Sequence, residues 1–188
     1  MAGELDPCFE DILLENVNHC PNEETVAGMS IKLYYIPAPH IATFTKPPTT
    51  GAYEVIATIP PTGLVPVTGK GWKKIDCQVD KNILQNMTVG SVGNLKLKGE
   101  LDVVFPGFKK KLVGFQKAHR NTPMIFGMPD SEGQMWIIGN PDAPSNFTSM
   151  TLTSGDTGEA DSNLTSKINA KTSILAYDGD LTILPDTP

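Results

Sequence analysis

The sequence predicts a mainly β fold, a β-sandwich or half-barrel with long strands and one flanking amphipathic helix over about residues 106–120. Three observations predict it. Leu95, Leu97, Gly99, Leu101, Val103 and Phe105 alternate with Lys96, Lys98, Glu100, Asp102 and Val104, the period of two that gives a strand one buried and one solvated face. The chain holds 17 Gly and 16 Pro with only 39% hydrophobic residues, a balance that favours strands between turns over helices. One stretch alone changes to the helical period, where Phe108, Leu112, Phe115 and Ala118 fall on a single face.

In chain order, residues 1–28 form an acidic arm and residues 29–188 a single β-rich domain. The arm offers Phe9, Ile12, Leu13 and Leu14, too little apolar surface to fold alone. Met29 to Ile36 is the first strand, stopped by Pro37 and Pro39 because proline cannot continue a ladder. The stretch from Ile41 to Gly51 includes Lys46-Pro47-Pro48-Thr49-Thr50, a loop that its prolines hold extended. Tyr53 to Ile59 is a second strand, closed by Pro60 and Pro61; Thr62 to Gly71 is a turn or bulge, and Trp72 to Val79 is a third strand. Lys81 to Thr88 suits either a turn or a strand.

Leu95 to Phe105 then extends about 36 Å at the rise of a strand and stops at Pro106 and Gly107. The helix starts at Pro106, since proline is tolerated in a first turn, and fades near Asn121 and Pro123. Met124 to Met128 and Gln134 to Ile138 are two strands around a Pro129–Gly133 turn. Phe147 to Thr153 is a Thr-rich strand, Ser154 to Ser162 a loop, and Leu164 to Tyr177 a further strand. Asp178-Gly179 is a strong turn signal, after which Leu181 to Leu184 pairs back.

The charges are segregated along the chain. Residues 1–30 carry seven carboxylates and no Lys or Arg; residues 70–120 carry eleven cations against four carboxylates, a net of +7. Residues 121–188 carry nine carboxylates against Lys167 and Lys171, a net of −7. Surface charge that cancels in three dimensions accounts for this pattern. So does a head-to-tail contact between one subunit's acidic end and the next subunit's basic middle, a geometry that generates rings or filaments. The candidate inter-subunit residues are Lys109, Lys110, Lys111, Lys117 and Arg120 of the helix, Glu10 and Asp11 of the arm, and Asp156, Glu159 and Asp161 of the Ser154–Ser162 loop. A net charge of −6 with a single Arg works against tight binding to free nucleic acid.

Groups suited to chemistry are sparse. His19 lies in the arm, His40 in a Pro-flanked loop and His119 at the end of the helix, none in a nucleophile–base arrangement; the expectation is that the chain is not an enzyme. Cys8, Cys20 and Cys77 are too few for a disulfide framework, and Cys8, His19 and Cys20 lack a fourth ligand at any zinc spacing. Asp156, Glu159 and Asp161 do not follow the EF-hand order. Gly69-Lys70-Gly71 lacks the spacing of a phosphate loop, and Asp178 and Asp180 border a tight turn. No catalytic, cofactor or metal residue is therefore expected. No run approaches the 18 apolar residues of a membrane helix. Glu4, Asp6, Glu10 and Asp11 stand where a secretory signal would carry cations, so synthesis in the cytoplasm is expected. Trp72 and Trp136 suit core or interface anchors, or a platform for carbohydrate.

The order of these elements resembles a known family. A Gly28-Met-Ser-Ile-Lys-Leu-Tyr-Tyr-Ile36 strand is followed by Leu95–Phe105, by a helix carrying Phe108-Lys-Lys-Lys-Leu112, by Gly133-Gln-Met-Trp-Ile-Ile-Gly139, by a Thr-rich strand and by Leu181-Thr-Ile-Leu184. Over Gly28 to Leu184 this pattern resembles structural proteins of tailed bacteriophages, most closely tail tube proteins. The resemblance implies a subunit made in the host cytoplasm and built into the virion tail as stacked, hexameric rings, whose long strands join one inner barrel. Its partners would be its own copies, other virion proteins, and genomic DNA that passes through the lumen without tight binding. The acidic arm departs from the simplest form of the family and leaves head-decoration or connector roles open. The alternative reading is a monomeric or trimeric β-sandwich binding or adhesion module presenting Trp72 and Trp136.

Overall fold

A computed structural model describes residues 28–154 and 162–185. Strands make up 47% and helices 12% of it, so the fold is mainly β as the alternation predicts. The strands are β1 (Lys32–Pro37), β2 (Ile41–Phe44), β3 (Thr58–Ile59), β4 (Leu64–Pro66), β5 (Lys73–Asp76) and β6 (Ile83–Val89) in the first half. The second half holds β7 (Lys96–Pro106), β8 (Met124–Pro129), β9 (Met135–Ile138), β10 (Asn146–Thr153), β11 (Asn163–Ala170) and β12 (Leu175–Tyr177). Two α-helices, α1 (Tyr53–Ala57) and α2 (Lys110–His119), and a short 3-10 helix at Ala38–His40 interrupt them.

A six-stranded sheet in the order β3-β12-β9-β8-β1-β5 lies at the centre, a four-stranded sheet β10-β11-β7-β6 forms a second layer, and β2 pairs with β4. Alternate residues of β8 explain the layering. Met124, Phe126 and Met128 join Leu33, Leu101, Val103, Phe105, Leu164 and Ile168 in a core between the two larger sheets. Ile125 points the other way and joins Ile36, Ile59, Leu64, Trp72, Ile137 and Tyr177 in a second core. A sheet buried on both faces needs apolar residues at consecutive positions, which is why Met124-Ile-Phe-Gly-Met128 does not alternate.

Helix α2 closes one side of the larger core. Phe115 is its hub, with ring centroids 5.4 Å from Tyr35, 6.1 Å from Phe105 and 5.9 Å from Phe147. The helix begins four residues later than the first-turn proline suggests. Pro106 instead ends β7, opposite Asn163, and Gly107, at φ +87, turns the chain while its N–H donates to the Ser162 carbonyl. Phe108 is consequently outside the helix and 53% exposed, while Leu112 and Phe115 carry the buried stripe.

Other boundaries also move. Tyr53–Ala57 is a helical turn with no buried residue, in place of a strand; only Thr58 and Ile59 find a partner, lying parallel to Ala176 and Tyr177. Ile41–Phe44, ahead of the Lys46–Thr50 loop, forms β2, the Thr62–Gly71 turn contains β4, and Lys81–Thr88 resolves as strand β6. Trp72–Val79 shortens to β5, with Trp72 beside Ile183. The predicted Leu164–Tyr177 strand is two strands. β11 ends at Ala170 opposite Gly99, and the chain then crosses past buried Ile174 into the central sheet as β12. Leu181–Leu184 does not pair back on β12: Trp72 donates to the Thr182 carbonyl and accepts from the Leu184 N–H.

Candidate assembly surfaces

The long strand β7 has two unlike halves. It pairs with β11 only from Gly99 to Pro106, and with β6 only from Lys96 to Asp102. Before Gly99 it therefore has β6 as its single neighbour, and the two run out beyond the sandwich as a ribbon. Gly90 (φ +119) and Gly93 (φ +86) make its tip, where Asn94 donates to the Ser91 carbonyl. A Cβ on Gly90 would stand 2.5 Å from the Asn94 carbonyl oxygen, so this close turn needs glycine.

The ribbon carries exposed apolar side chains. Val92 is 99%, Leu95 57%, Leu97 46% and Val89 42% exposed, whereas Leu101, Val103 and Phe105 of the same strand are fully buried. Sequence alternation places Leu95 and Leu97 on the core face of the strand; the structure continues that face past the edge of the core. Val89 and Val92 follow no long alternation, although Gly90 and Gly93 beside them mark a turn.

The outward face of the four-stranded sheet carries Lys96, Lys98 and Lys167 with Glu100 and Asp102, and Ile83, Met87 and Val89 of β6 lie beside them. Lys98 lies 2.5 Å from Glu100, and Lys167 of β11 sits 3.7 Å from Glu100 and 3.8 Å from Asp102. The Lys98 hydrogen bond, with help from Lys167, holds the Glu100 carboxyl below the usual carboxylate range. The sheet ends in β10 and β6, neither of which has a further strand beside it among the described residues.

The five helix cations do not form one patch. Lys109 and Lys111 border a groove between α2 and β5. Lys117 and Arg120 border a separate hollow of about 320 Å³ against β10, where Gln116 donates to the Met150 carbonyl and Arg120 to the Lys117 carbonyl. Lys110 is exposed at the first turn. Glu10 and Asp11, like Asp156, Glu159 and Asp161, lie outside the described residues. So do Cys8, His19 and Cys20.

The tryptophans divide. Trp72 is completely buried in the second core and presents no stacking face. Trp136 is half-buried, and its indole N–H donates to Asp130 Oδ2 at 2.8 Å while Oδ1 accepts the N–H groups of Glu132 and Gln134. This carboxylate ties the β8–β9 turn. His119 is half-buried against Tyr35 and Phe115, and that burial lowers its pKa. The buried Cys77 thiol is pushed up to about 12, first by desolvation and to a lesser degree by Asp76. Among the described residues no group of three or more His, Cys, Asp or Glu could hold a metal ion, and no helix is long and apolar enough to cross a membrane.

In comparisons with known proteins, no family model matches the chain, no curated protein matches its sequence and no solved structure matches its fold.

Proposed function

We propose that this protein is a non-enzymatic virion component that self-assembles into stacked rings, hexameric in the resemblance, forming a bacteriophage tail tube through which genomic DNA passes. The observation that carries the reading is the β6–β7 ribbon. It continues the apolar face of a core strand into solvent at Leu95 and Leu97, with Val92 exposed at its tip and Val89 exposed on the opposite face beside Lys96, and such a surface calls for another chain to cover it. The four-stranded sheet supports the same reading. Its edges, β6 and β10, can each accept a strand from a neighbour, and closure of the sheet around a ring removes both edges.

The lumen follows from the polar face of that sheet. Lys98 and Lys167 are set against Glu100 and Asp102, and with Lys96 on the same face a wall made of it sets three cations against two carboxylates, a small net charge for phosphate to meet. Adhesion through the two tryptophans loses half its basis with Trp72 inside the core. Electron microscopy of the purified full-length protein tests the proposal: rings or tubes with an open centre are expected, and discrete solid particles at every concentration would remove it.

A further inference from the structure

The two ends of the central sheet carry opposite charge. At the β5 end, a groove of about 680 Å³ separates α2 from the sheet. Phe105, Leu112, Phe115 and Ile75 are its apolar lining, and Lys74, Lys109 and Lys111 stand around it with Asp76 as the one carboxylate among the lining residues. Lys73 serves the chain itself, donating to the carbonyls of Leu184 and Pro185.

At the β3 end, a cleft of about 850 Å³ is lined by Glu54, Asp130, Glu132 and Asp178, with Lys46 the one cation. Lys46 is drawn away to Asp142 at 2.7 Å. Asp130 is committed to the β8–β9 turn. Glu54, Glu132 and Asp178 are exposed. Thr58, Ala176 and Trp136 are cross-strand partners that line the cleft, on the same face of the sheet as the larger core that Trp136 packs against.

We propose that the lysine-bordered groove at the β5 end docks the acidic β3 end of a second copy of this chain. The proposal rests on the self-assembly reading and adds to it the pair of surfaces that meet around a ring. Complementary potentials fix the orientation of such a contact, and pairing groove with groove or cleft with cleft would set like charges together. Because each copy presents one surface of each kind at opposite ends of one sheet, the contact is heterologous. It therefore propagates from copy to copy and stops only when a ring closes. Ile75 and Ile183 at the groove and Val55 at the cleft supply apolar area to bury once the charged rims have steered the encounter.

Charge reversal in the full-length protein tests this. One variant carries Lys74→Glu with Lys109→Glu, so that both of its surfaces are acidic; the other carries Glu54→Lys with Asp178→Lys, so that both are basic. In sedimentation velocity each variant alone should need at least a tenfold higher concentration to assemble than the unaltered protein. An equimolar mixture should assemble near the unaltered concentration, because each variant then meets its complement. All four positions are exposed or at a rim, and unchanged thermal melting confirms folding. Carbodiimide coupling in unaltered protein, mixed from light and heavy-isotope copies, should link Lys74 or Lys109 of one copy to Glu54 or Asp178 of another. Assembly by either variant alone at the unaltered concentration, failure of the mixture to assemble, or coupling confined to other surfaces overturns the docking surface. Absence of any assembly by the unaltered protein would instead overturn the tube reading itself.

Discussion

The two halves of β7 have the same alternation and opposite surroundings. From Gly99 to Phe105 the strand has a neighbour on each side over most of its length and a sheet across the core, and its apolar residues are fully buried. From Lys96 to Lys98 it has one neighbour, and Leu97 is left 46% exposed. Periodicity thus determines which residues share a face, while the length of the partner strands determines whether that face is covered. Where β11 ends at Ala170, intramolecular packing ends too.

Substitutions sharpen this contrast. Phe115→Ala and Leu101→Ala empty the larger core and should cost about 3–5 and 2–5 kcal/mol respectively, read by chemical denaturation of dilute protein. Leu97→Ala, two alternations along the strand from Leu101, should change folding stability by no more than about 0.5 kcal/mol while weakening assembly. A core-sized loss at Leu97 in dilute protein would mean that the ribbon is packed within its own subunit.

Gly139→Ala is expected next in size. Its φ is +82 and the new Cβ would stand 2.6 Å from the Ser145 nitrogen, beside the Ser145 hydroxyl that lies 2.8 Å from the Met124 carbonyl and 3.0 Å from that of Ile138. Backbone strain of this kind costs on the order of 1–3 kcal/mol, and a melting temperature unchanged from the parent would contradict it.

His119 gives a smaller, pH-dependent effect. Burial lowers its folded-state pKa, so the unfolded chain binds the proton first and this contribution to stability falls as pH drops below the unfolded value near 6.5. Comparing His119→Gln with the parent by denaturation at pH 7 and pH 5 should show a smaller loss in the variant. The least change is expected at Cys77. With Cys8→Ser and Cys20→Ser in place, its buried thiol, pushed up to about 12, should resist thiol reagents at pH 8 until the chain unfolds.

The sequence carried the strands whose alternation is complete. Leu101, Val103 and Phe105 read correctly as core, and the β8–β9 hairpin, which does not alternate, was legible from its Pro129–Gly133 turn. It misled where local signals competed with partners supplied from afar. Pro106 looked like a helix start, yet Asn163 gives it a strand partner. Tyr53–Ala57 looked extended, yet only two residues after it have a strand to join. The lysine cluster at residues 109–111 was legible as charge, but the groove beside it needs β5, α2 and the Leu184–Pro185 segment to come together. The acidic cleft was less legible still, because Glu54, Glu132 and Asp178 are scattered along the chain and meet only through sheet order.

Amide hydrogen exchange on the full-length protein, dilute and concentrated, tests the central contrast most directly. The account predicts that Gly99–Phe105 amides are protected at both concentrations, while those of Val89–Lys98 gain protection only when copies assemble. Ribbon amides that exchange at one rate regardless of concentration would contradict it.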